Sequence, residues 1–125
     1  MLQMKTLDPA TNFGDQHTVS TGPVTIINTF VAPEGKKAEV LAAWKADAEY
    51  MQQTGDLLAV QLYGGIGGSN LFTNVAVWAS PAALERALHT PEFAAHAASY
   101  PDGTLAYPHL YQKVAVDGVC AGEPV

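Results

Sequence analysis

The run Leu71-Phe72-Thr73-Asn74-Val75-Ala76-Val77-Trp78, closed by Ala79-Ser80-Pro81, decides how this chain is read. Its β-branched and aromatic residues, with no charge among them, read as a strand. Ser80 places a capping hydroxyl just before a proline at the first helical position, so a helix begins where the strand stops. Upstream, Leu57 to Tyr63 has the same strand character. The glycine-rich turn Gly64-Gly65-Ile66-Gly67-Gly68-Ser69-Asn70 joins the two as a hairpin. A phosphate-cradling loop opens a helix, whereas this one opens a strand, which discounts nucleotide binding.

Working outward, Val24-Thr-Ile-Ile-Asn-Thr-Phe-Val31 is another strand, bounded by Pro23 and by Pro33-Glu34-Gly35. From Lys36 to about Thr54 there is no proline or glycine. Val40, Trp44 and Met51 fall on one helical stripe with Leu41 and Ala48 beside it, an amphipathic helix that Gly55 stops. Ser80-Pro81 and Thr90-Pro91 start two short helices, through about His89 and about Tyr100, and Pro101-Asp102-Gly103 ends the second. Leu110 to Val116 reads as the fourth strand. The order β-α-β-β-α(α)-β is the split βαβ of an α+β, ferredoxin-like fold. It predicts a four-stranded antiparallel sheet, order 4-1-3-2, with the helices on one face. Residues 1–22 read as an N-terminal arm, 23–116 as the domain and 117–125 as a C-terminal tail.

Composition narrows the function. The 125 residues carry six basic and twelve acidic side chains, a net charge of -6, and the largest basic cluster is Lys36-Lys37. A phosphate-tracking protein needs a basic stripe, so nucleic acid and anionic membrane surfaces are disfavoured as partners. Apolar runs are too short for a membrane span, and the first residues lack the apolar segment of a signal peptide. Cys120 is the one cysteine, so no intrachain disulfide forms. The expectation is a small acidic cytoplasmic domain.

Alternation along the strands sends Val24, Ile26, Asn28 and Phe30 to one face, and Thr25, Ile27, Thr29 and Val31 to the other. The strand at 71–78 likewise sends Phe72, Asn74, Ala76 and Trp78 one way and Leu71, Thr73, Val75 and Val77 the other. Neither face carries a charge. Helices cover one; the other is an open apolar patch of a kind monomers avoid, which predicts a homodimer packed sheet on sheet.

The helix-facing side mixes bulk with amides. Asn28 and Asn74 project into one space walled by Phe30, Phe72 and Trp78, an arrangement suited to an uncharged aromatic ligand with carbonyl or phenol oxygens. Other candidates carry less. His96, in Phe93-Ala-Ala-His-Ala, is a candidate general base because an unperturbed imidazole titrates near neutrality. His17 and His109 sit in loop-like segments, and His89 lies near a helix end. The four histidines show no metal-ligand spacing, so no metal is expected. Tyr50, Tyr100, Tyr107 and Tyr111 are explained by packing or by a pocket, and Ser80 and Thr90 are caps without a triad partner.

Val24 to Gly35, the helix with Trp44 and Glu49-Tyr50-Met51, Thr73-Asn-Val-Ala-Val-Trp-Ala-Ser80 and Pro91-Glu-Phe93 together resemble the antibiotic biosynthesis monooxygenase (ABM) family of dimeric α+β-barrel proteins. The resemblance spans about residues 23 to 116. It implies oxidation of a phenolic, quinol, anthrone-like or polyketide-like aromatic by molecular oxygen, without a cofactor. It also implies Asn74 and Trp78 as the working pair; the residues themselves add His96 as a candidate base, and Asn28, Phe30, Trp44 and Phe72 as substrate-binding residues. The tyrosine and arginine of the quinol and anthrone oxygenases fall here on Leu84 and about Ala98. In the haem-degrading branch, Asn28 matches an asparagine, while the tryptophan and histidine positions fall near Ala87 and Ala97. His96, one place along a helix, points about 100° away, which keeps haem as a lesser reading. A non-oxidative ligand-binding protein and a cyclase or isomerase are the alternatives for the same pocket.

Overall fold

The computed structural model describes residues 1–123. Strand β1 (Gln3–Met4) and a single turn, α1 (Phe13–Gln16), precede β2 (Val24–Val31) and the long helix α2 (Lys37–Gln52). The hairpin β3 (Leu57–Gly64) and β4 (Leu71–Trp78) follows, then α3 (Pro81–Leu88), α4 (Pro91–Ser99) and β5 (Leu105–Tyr111). Both expected caps form: the Ser80 hydroxyl accepts from the Ala83 amide and the Thr90 hydroxyl from the Phe93 amide, each at 3.1 Å. Gly67 and Gly68 turn the hairpin with φ of 71° and 79°, where a side chain would be strained.

The sheet has five strands, order β1-β5-β2-β4-β3, rather than four. The four expected strands keep their relative order, and β1 adds a parallel pair with β5, so the sheet is mixed. Two residues are too few to show an alternation, which is why the sequence read this stretch as arm. The last strand is also corrected, since β5 covers Leu105–Tyr111 and not Leu110 to Val116. Pro108 made the earlier residues look unfit for a strand. It is tolerated because its missing N–H faces away from β2, toward the edge where Leu110 meets Gln16. Beyond Tyr111 the alternating valines find nothing to pack on, and Val114 is 70% exposed. His109 therefore lies in a strand, and His17, read as loop, is buried behind α1 against Phe13.

Residues 1–22 dock rather than trail. The Gln3 and Lys5 amides donate to Thr104 and Ala106 carbonyls, and the Gln16 side chain takes both backbone groups of Leu110, accepting from its amide at 2.8 Å and donating to its carbonyl at 2.9 Å. Thus β1, Pro108 and Gln16 in turn occupy the outer edge of β5.

The core lies between the helices and the sheet face carrying Val24, Ile26, Asn28 and Phe30. It falls into two apolar clusters: Val24, Ile26, Met51, Ala76, Trp78, Leu84, Ala87 and Leu110 form one, and Phe30, Ala32, Val40, Ala43, Phe72, Tyr100 and Ala106 the other. Among the described residues no helix covers the opposite sheet face, where Leu71 and Tyr63 are 42% and 59% exposed. Among the described residues no helix is long and apolar enough to cross a membrane.

Candidate active site

The seam between the two clusters is polar. Asn28 and Asn74 are direct cross-strand partners in the β2–β4 ladder, one step from Phe30–Phe72 on one side and Ile26–Ala76 on the other. Helix α2 crosses above them and brings Asp47 to the same level, between Ala43 of one cluster and Met51 of the other. The side-chain oxygens of Asn28 and Asn74, and Oδ1 of Asp47, are buried with no hydrogen-bond partner. An orphaned buried polar group costs about 1–3 kcal/mol. Three lie around one seam, each an acceptor open to a hydrogen-bond donor.

A hollow of about 70 Å³ occupies this seam. Asn28, Phe30, Trp44, Asn74 and Trp78, all expected at the site, line it together with Asp47. A second hollow of about 50 Å³ lies beside it, sharing Trp44, Asp47, Met51, Asn74 and Trp78. Two expected residues stand elsewhere. Phe72 is buried in the second cluster beyond the hollow's walls. His96 is half-buried on α4 with its ring 5.5 Å from that of Tyr50, whose hydroxyl bonds Thr90 at 2.8 Å. Leu84, at the position where the resembling oxygenases carry tyrosine, lines the hollow as an apolar wall.

Asp47 was not singled out from the sequence. Its signal was present: counting along α2, it falls on the stripe of Val40, Trp44 and Met51, a carboxyl at a core position. Burial pushes its carboxyl up to about 6, and the charge of His96 pulls the other way. Burial, and then the neighbouring Asp47 charge, drive the Tyr100 phenol far above its ordinary value, so it stays protonated. Tyr100 stacks on Phe30 with centroids 5.8 Å apart, and its hydroxyl is also without a partner. The arm was the other omission, for Leu2, Met4 and Phe13 close one side of the hollow.

A metal has no seat here: no group of three acidic, histidine or cysteine side chains is gathered among the described residues. The hollow's lining offers no histidine to a haem iron, and the positions that carry tryptophan and histidine in the haem-degrading branch fall near Ala87 and Ala97.

No curated protein matches the sequence. Among solved structures the fold recurs in SnoaB, a cofactor-independent oxygenase from Streptomyces nogalater, at 23% identity and a TM-score of 0.70, over 78% of this chain and 99% of that one. A candidate monooxygenase of Shewanella loihica PV-4 is 29% identical with a TM-score of 0.66, over 78% of this chain and all of its own. A candidate antibiotic biosynthesis monooxygenase of Bordetella bronchiseptica, 16% identical, superposes with a TM-score of 0.66 over 76% of this chain and all of its own. The family pattern described as antibiotic biosynthesis monooxygenase matches residues 23–99, from the start of β2 to the end of α4 and so across every helix and strand wall of the seam except β5 and the arm. The chain belongs to the antibiotic biosynthesis monooxygenase family.

Proposed function

We propose that this protein is a homodimeric oxygenase that oxidises a small hydroxylated aromatic with molecular oxygen and no bound cofactor. The observation that carries the reading is the in-register Asn28–Asn74 pair, two amides whose oxygens are buried and unanswered, lining a hollow walled by Phe30, Trp44 and Trp78. An amide presents an acceptor and, turned over, two donors, so the pair receives a phenol and holds it after ionisation. Aromatic walls take the ring, and exclusion of water strengthens both hydrogen bonds.

For an anthrone-like substrate the chemistry balances as follows. A proton leaves, and the resulting anion passes one electron to oxygen. The carbon radical and superoxide combine to a peroxide, which loses water to leave a carbonyl. One oxygen atom enters the product and the other leaves as water. The chain's share is to bind the ring and to stabilise the oxyanion from which the electron departs. At about 70 Å³ the hollow is smaller than the roughly 150 Å³ that accommodates a benzene-sized guest, so even one-ring phenols need Leu2, Met4 or Phe13 to move aside, and three-ring substrates need more room still.

Oxygen uptake with hydroquinone and with a dihydroxyanthrone tests the reading. Wild type consumes oxygen above the buffer rate, and Asn74→Ala loses about a hundredfold, the effect of removing one oxyanion donor. Equal rates for wild type, variant and buffer on both compounds overturn it. Leu84 in place of the tyrosine favours a second reading, a non-oxidative binding protein or an isomerase. Hydroquinone bound without oxygen uptake is its signature.

A further inference from the structure

We infer that Asp47 is the proton acceptor of the hollow, taking the hydroxyl proton of a phenolic ligand held between Asn28 and Asn74. The inference rests on the reading above, that the seam takes a phenol.

Placement carries it. Asp47 sits at a core position of α2, in the wall shared by the two hollows, at the level of the asparagine pair. Its Oδ1 is buried and has no partner in the folded chain. A carboxylate in such surroundings lacks the hydrogen bonds that normally compensate burial, so its partner arrives with the ligand. The surrounding groups leave it free for that role. From α4 and its end come His96 and Tyr100, the first lowering its pKa and the second a phenol that cannot serve as base. From the sheet come two neutral amides, and from the arm Leu2, Met4 and Phe13, all uncharged. No ion pair claims Asp47 among the described residues. Its carboxyl, pushed up to about 6, is ionised at neutral pH yet a far better acceptor than an ordinary aspartate. Burial sets where Asp47 titrates, and the His96 charge offsets part of that rise.

The step is a proton transfer. The phenol O–H bond breaks, its electron pair remains on oxygen as phenolate, and the proton ends on Asp47 as a neutral carboxylic acid. No oxidant takes part. The negative charge thereby moves from a carboxylate whose buried Oδ1 has no partner to an oxygen that two amides can hold, once turned to present their NH2 groups. An ordinary phenol titrates about four units above this carboxyl, so the transfer depends on those amides.

Phenol itself is the first probe, its binding followed by NMR from about pH 5 to 8. Wild type loses about tenfold in affinity as Asp47 is protonated over the last unit below its midpoint, and Asp47→Asn binds phenol with no pH dependence. His96→Gln moves the wild-type midpoint to higher pH, because the charge that lowers it is gone. Hydroquinone oxidation is the second probe. Asp47→Asn loses about a hundredfold at neutral pH and regains rate steadily as alkali ionises the substrate, without the wild-type plateau. A wild-type affinity that ignores pH, a variant that titrates like wild type, or a uniform rate loss with an unaltered pH profile each overturns the assignment. So does failure of phenol to bind. If phenol binding titrates as stated while hydroquinone is not oxidised, the oxygenase reading falls and Asp47 stands as the acceptor. The amide variant keeps the shape and removes a buried charge, so it folds.

Discussion

At the scale of single residues, one carboxyl links stability to function. Asp47 titrates at about 6 in the folded chain against 3.8 when free. The folded state therefore holds the proton more tightly, and between those values stability falls as pH rises. Above the folded midpoint the charge costs on the order of 2–3 kcal/mol. Asp47→Asn should thus be more stable than wild type by about that amount in urea unfolding at pH 7.5, the advantage shrinking to nothing by about pH 4. A variant that gains stability while losing turnover is the mark of a group kept for chemistry. Residue-scale reading of the sequence reached Asn28 and Asn74 because strand alternation has a period of two and their register followed from topology. It reached Trp44 and Trp78 for the same kind of reason. Asp47 lies on the apolar stripe of α2, where periodicity marks core positions and says nothing of what a carboxyl does at one. Nothing in the sequence showed that Phe72 is taken up by the second cluster, or that His96 meets Tyr50 instead of the hollow, because both depend on how α4 leans on α2.

At the scale of elements, the uncertain piece was the arm. Gln16 presents a side-chain amide to both backbone groups of Leu110, doing with one residue what a neighbouring strand does with several. Gln16→Ala should lower stability by about 1–3 kcal/mol, measured by urea midpoint. It should also speed amide exchange at Leu110 while leaving Asn28 and Thr29, inside the sheet, unchanged. The helices, their caps and the hairpin were legible because each has a local signal: proline after a hydroxyl, glycine at positive φ, a stripe of apolar residues. β1 and β5 were not, because the pairing of two residues, and the tolerance of Pro108, are decided by neighbours far along the chain. The price of a buried histidine also falls here. Burial holds the His17 imidazole below its ordinary 6.5, so acid that protonates it removes stability from the α1 region as pH falls through that value.

At the scale of the molecule, we propose that a second copy covers the open sheet face. Ile27, Val31, Leu71, Val75 and Val77 lie on it beside the Thr29–Thr73 hydroxyl pair at 3.0 Å, with no charged side chain on either strand. Sedimentation at micromolar concentration should give twice 13.2 kDa, and Val75→Glu, which sets a charge at the centre of the face opposite Ile27, should give the protomer mass. A wild-type protomer mass would remove the homodimer from the reading. The outer edge of β5 sets a limit on any such assembly. β1 closes its start, a proline without an amide hydrogen interrupts its middle and the Gln16 side chain seals its end, which leaves β3 as the long strand with an unpaired side. Growth of a fibril by adding chains rim to rim requires a donor border and an acceptor border on every unit. With one of the two closed off, lateral recruitment through these strands can join a pair and then has nowhere to continue.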